Sequence, residues 1–103
     1  MFFNISIFKV EGFSMFPIIS DKAFVLTKTS NFNLSPKKIF VFNHQKYGRL
    51  IKSLVKIDSD GKFWFKGDQS DSVSMNDIGP VNESNIIGQV FLSISNNSIK
   101  LVK

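Results

Sequence analysis

Two side chains in this 103-residue sequence sit in surroundings that solvated residues rarely have. Ser14 lies in Val10-Glu11-Gly12-Phe13-Ser14-Met15-Phe16-Pro17, just after a run that reads as a strand, with a glycine two positions before it and a proline three after. Such a turn presents one hydroxyl reproducibly. The apolar Phe13, Met15 and Phe16 beside it suit a substrate groove, although the segment also reads as an ordinary strand-ending turn. Lys52 lies in Arg49-Leu50-Ile51-Lys52-Ser53-Leu54-Val55, where strand alternation puts its side chain on the face of Leu50 and Leu54. A cation in the middle of an apolar face is costly without a task or a partner. The competing reading is an edge-strand lysine that guards against aggregation.

A serine hydroxyl is a poor nucleophile until something takes its proton. The usual histidine–aspartate pair is hard to assemble here, because His44 is the single histidine and its polar loop reads as a surface position. A lysine amine does the same work if desolvation brings its pKa from about 10.4 toward 7 or 8. A third segment, residues 65–81, is a polar loop bracketed by glycines. Its glycines allow close backbone approach and its hydroxyls are able to hold an amine; a solvated connector has the same composition.

The elements that must carry these groups are short. Apolar and polar residues alternate over 5–10, 23–28, 38–43, 49–56, 62–66 and 86–94, and these runs predict strands. Turn formers fill 12–17, 29–36, 44–48, 58–61 and 67–80, and Asp60-Gly61 is a hairpin signal. No apolar period of 3.6 residues lasts beyond two turns. The expectation is therefore an all-β, strongly coiled architecture in one domain spanning 1–103.

A hydrophobic fraction of 43% and an aromatic fraction of 14%, with twelve phenylalanines, supply a core and argue against disorder. The net charge of +5 suits an acidic partner. With Arg49 as the only arginine there is no arginine-rich stripe, and no nucleic acid is expected. The absence of cysteine excludes disulfides and thiolate metal sites, so neither a metal nor a cofactor is expected. The apolar start over residues 1–8 is too short to span a bilayer and lacks the marks of a secretory signal. No membrane anchor is expected in the chain.

In this order and spacing, the segments resemble the serine–lysine signal peptidases and their relatives, which include the cleavage domains of LexA-like repressors. Gly12-Phe13-Ser14-Met15-Phe16-Pro17 is similar to the nucleophile block, Pro36-Lys37-Lys38-Ile39-Phe40-Val41-Phe42 to the strand block that follows, and Leu50-Ile51-Lys52 to the general-base block. Gly67-Asp68-Gln69, through Ser72 to Gly79-Pro80-Val81, is similar to the closing block, and the resemblance ends on Ile86-Ile87-Gly88-Gln89-Val90. It implies coiled, partly barrel-like antiparallel sheets and a Ser/Lys dyad. Ser14 would attack the scissile carbonyl, Lys52 would take its proton, and Ser72 would orient the lysine. The Ser14 backbone amide would serve the oxyanion, and Gly12, Phe13, Met15 and Pro17 would line the substrate groove. The chain departs from the family in carrying Ser53 where arginine is common, Gln69 for Asn, and Ser74-Met75-Asn76 for Asp-Ser-Arg. These changes leave the dyad and remove the salt bridge that usually braces the loop. Gly12 also takes the place where some members use a serine hydroxyl as a second oxyanion donor.

The resemblance, taken with the missing anchor, implies a protein substrate with an N-terminal leader, and the candidate is a nickel-type superoxide dismutase precursor processed in the cytoplasm. A membrane-peripheral location is the alternative. A minimal signal peptidase of bacterial or organellar inner-membrane type is the second reading. A basic β-barrel that binds nucleic acid through its phenylalanines is the non-enzymatic one, and a peptidase-fold module without activity is a further one.

Overall fold

A computed structural model describes residues 4–12, 14–69, 73–96 and 98–103. Seven strands follow one another as β1 (Ile5–Lys9), β2 (Phe24–Lys28), β3 (Ile39–His44), β4 (Gly48–Ile57), β5 (Phe63–Lys66), β6 (Ile86–Ser95) and β7 (Ser98–Leu101). A single helical turn, α1 (Met75–Ile78), and a 3₁₀ turn (Glu83–Asn85) lie between β5 and β6. The protein is all-β, as the alternation predicts. All pairings are antiparallel, in the order β1-β2-β6-β3-β4-β5, and β7 also pairs with β6. The sheet does not close into a barrel. Among the described residues no helix is long and apolar enough to cross a membrane.

β3 organises the core because its sequence, Ile-Phe-Val-Phe, is apolar on both faces. Ile39 and Val41 pack into one cluster with Val10, Met15, Ile19, Ala23, Val25 and Val90. Phe40 and Phe42 pack into the other with Leu54, Phe63, Phe65, Ile78 and Val81. The rings of Phe42 and Phe65 stack with centroids 4.2 Å apart. These phenylalanines are core residues, whereas Phe16 and Phe24 are exposed.

β6 crosses close to β2 at Gly88. A Cβ built there would lie 2.8 Å from Thr27 Cγ2 and closer still to the Lys28 carbonyl oxygen. Both neighbouring strands shift register beside it, at Leu26/Thr27 and at Val41/Phe42. Glycine is the residue that lets the backbones approach.

The six predicted strands form with ends within two residues of those expected. β7 was not expected. Its four residues are all exposed, so it has little apolar signal beyond Ile99 and Leu101, and it exists because it pairs along β6 from Leu92 to Ser95. Part of the 67–80 loop is helical instead: the Ser74 hydroxyl accepts the Asp77 amide at 3.1 Å and starts α1.

Candidate active site

The turn that carries Ser14 is fixed at its base and at its core side. Val10 N–H donates to Ala23 O at 2.8 Å and Lys22 N–H to Val10 O at 2.9 Å, so the chain leaves β1 and returns to β2 through a closed neck. Gly12 adopts a φ of 95°, a conformation that favours glycine, and its amide donates to Asp21 Oδ1 at 2.6 Å. Beyond Ser14, Met15 and Ile19 are buried, and Ile19 N–H donates to Met15 O at 2.8 Å. The Phe16-Pro17 peptide is cis. Ser14 itself is half-buried.

Lys52 reaches the same region from the middle of β4. Its cross-strand partner is Phe40, and it is 3% exposed. Burial pushes its amine below the usual lysine range. Ser14 and Lys52 line one cavity of about 210 Å³, together with Lys9, Val10, Glu11, Met15, Arg49, Leu50 and Ile51. Among the described residues no hydrogen bond joins the Ser14 hydroxyl to the Lys52 amine. Two groups in one cavity, one a hydroxyl and one an amine biased toward its neutral form, are the parts of a nucleophile and its base. Catalytic hydrogen bonds of this kind often tighten only when substrate is bound.

The segment after β5 braces the turn. The Ser14 carbonyl accepts the amides of Asp68 at 2.6 Å and Gln69 at 3.0 Å, and Gln69 Nε2 donates to the Phe16 carbonyl at 2.6 Å. Backbone and amide hydrogen bonds thus hold the start of this loop against the serine turn. The Gln69 that stands for the family's Asn supplies two of them, one from its backbone amide and one from its side chain.

The other groups predicted for the site fall in different places. Met15 lines the cavity but is 1% exposed and belongs to the core. Gly12 and Pro17 are exposed and not among the lining residues. Phe13 and Ser72 lie outside the described residues. Three charged cavity residues, Lys9, Glu11 and Arg49, were not anticipated. Arg49 packs its guanidinium over the Phe8 ring, 4.5 Å from the centroid; its being the only arginine, three residues before Lys52, was the available signal.

His44 is structural. Its Nδ1 accepts the amides of Lys46 at 3.0 Å and Tyr47 at 3.2 Å, which assigns the proton to Nε2, and Nε2 donates to the Ile78 carbonyl at 2.7 Å. The larger hollow beside it, about 540 Å³, has no lysine–serine pair among its lining residues. No group of three or more His, Cys, Asp or Glu among the described residues is placed to hold a metal ion.

A family model described as Peptidase S24-like matches residues 3–91, a span that includes Ser14, Lys52 and the 67–81 segment. No curated protein matches the chain.

Proposed function

The chain belongs to the Peptidase S24-like family, a family of serine peptidases, and from that premise we propose that it is a serine endopeptidase with Ser14 as nucleophile and Lys52 as general base. One observation carries the reading: a lysine that is 3% exposed on an apolar strand face shares a cavity with a half-buried turn serine. An amine in that position gains tenfold in its neutral fraction for each unit its pKa falls, at a cost of about 1.36 kcal/mol per unit to the fold.

In the proposed reaction the neutral Lys52 amine takes the Ser14 hydroxyl proton as Oγ attacks the scissile carbonyl. The resulting ammonium returns that proton to the leaving amine as the peptide bond breaks, and water then hydrolyses the acyl-Ser14 ester with Lys52 again as base. The Ser14 backbone amide is assigned to the developing oxyanion by its family position, a contact worth roughly 2.7–4 kcal/mol in the transition state. Ser72 is assigned the orienting of Lys52 by its family position, and Gly12, Phe13 and Pro17 the flanks of the groove.

The proposed substrate is a protein with an N-terminal leader, the candidate being a nickel-type superoxide dismutase precursor in the cytoplasm. Co-expression with that precursor tests it: mass spectrometry of the product should show the leader removed by the native chain and retained with Ser14→Ala. An intact leader with the native chain sets this substrate aside.

A further inference from the structure

The outer face of the sheet formed by β1, β2, β6 and β7 is apolar and in register across four strands. Ile7 pairs with Leu26, Leu26 with Leu92, and Leu92 with Leu101. A second row runs from Lys9 through Phe24 and Ile94 to Ile99. Directly paired residues project to the same side of a sheet, so these rows form one surface. None of their apolar members belongs to either core cluster. Ile7 is 63% exposed, Ile99 69% and Leu101 74%. Scattered apolar residues on a surface are ordinary, but a continuous array of this extent marks a docking face.

Charge selects the occupant. Lys9 closes one end of the second row, and Lys28, paired with Ile5, stands beside the first. The four strands contain no aspartate or glutamate. A second copy laid on this face would bring lysines toward lysines with no carboxylate to meet them. A bilayer that carries anionic headgroups complements both features: the apolar rows enter the headgroup boundary while lysine stems lie along them and their ammonium groups reach the phosphates. We propose that this four-strand face docks the protein peripherally on an anionic lipid bilayer.

The test is co-sedimentation of the full chain with vesicles of phosphatidylcholine mixed with phosphatidylglycerol and with vesicles of phosphatidylcholine alone. The native chain should pellet with the mixed vesicles and bind the neutral ones at least roughly fivefold more weakly, the factor expected from a single lysine near the surface. Lys28→Glu should lose at least as much. Ile99→Ser combined with Leu101→Ser, on exposed positions that the fold does not need, should weaken partitioning roughly tenfold or more. Absence of binding to the mixed vesicles, or binding unchanged in Lys28→Glu and in the double variant, overturns the proposal. So does light scattering that shows a concentration-dependent dimer abolished by the double variant, which would give the face to a second copy. No readout involves cleavage, so the result stands apart from the peptidase reading.

Discussion

Lys52 stands directly across the β3–β4 ladder from Phe40, whose ring is fully buried. The two side chains share a face, so the environment that packs the phenylalanine also desolvates the amine. The same apolar layer that stabilises the fold is what biases Lys52 toward a free base.

Stability should therefore depend on pH through this residue. The folded-state pKa of Lys52 lies below its unfolded value, so the unfolded chain binds more protons between the two and stability rises with pH. The cost of burying the ammonium is full below the folded pKa and vanishes above the ordinary value of 10.5. Lys52→Met should raise stability near neutral pH by about 1–3 kcal/mol. Thermal melts should show its advantage over the native chain shrinking as pH approaches that value.

Cleavage should rise with pH for the same reason, because only the neutral amine accepts the serine proton. The inflection in kcat/KM belongs below the range of an exposed lysine. Its measurement from neutral to alkaline pH checks this, with Lys66, an exposed residue, mutated to Met as a control that leaves the inflection in place.

His44→Gln should lower stability by about 1–3 kcal/mol, since the Ile78 carbonyl and two turn amides lose their partner. Cleavage measured well below its melting temperature should persist. Loss of activity in a folded variant would return histidine to the mechanism.

Gln69→Ala removes the donor to the Phe16 carbonyl. The expected effect is about a threefold to tenfold fall in kcat, equivalent to roughly 0.5–1.5 kcal/mol, with thermal stability changed by less. Gly88→Ala should instead act on the fold, with a loss of roughly 1–3 kcal/mol or more, because the atoms it meets include the backbone of β2. Chemical denaturation separates the two variants.

Much of this was readable before the structure. Alternation located β1 to β6 because each buries one face or, in β3, both. It placed Lys52 on the face of Leu54, and that face is buried. What was not readable depends on pairing across the chain. β7 is held by β6 and has no buried face of its own, so periodicity carries no sign of it. Met15 was itself offered as groove, yet it is buried and anchors the turn from below; sequence gives the apolar character and not its direction. The link from Asp68 and Gln69 to the Ser14 carbonyl joins positions more than fifty residues apart, and no local pattern encodes it.

The most direct test of the Ser14–Lys52 assignment needs no known substrate. The purified chain, Ser14→Ala and Lys52→Ala are each incubated with a proteome-derived peptide library, and new N-termini are read by mass spectrometry. The native chain should make a defined set of cuts, reduced about 10³-fold or more in each folded variant. The same cuts made by either variant at the native rate would contradict the assignment.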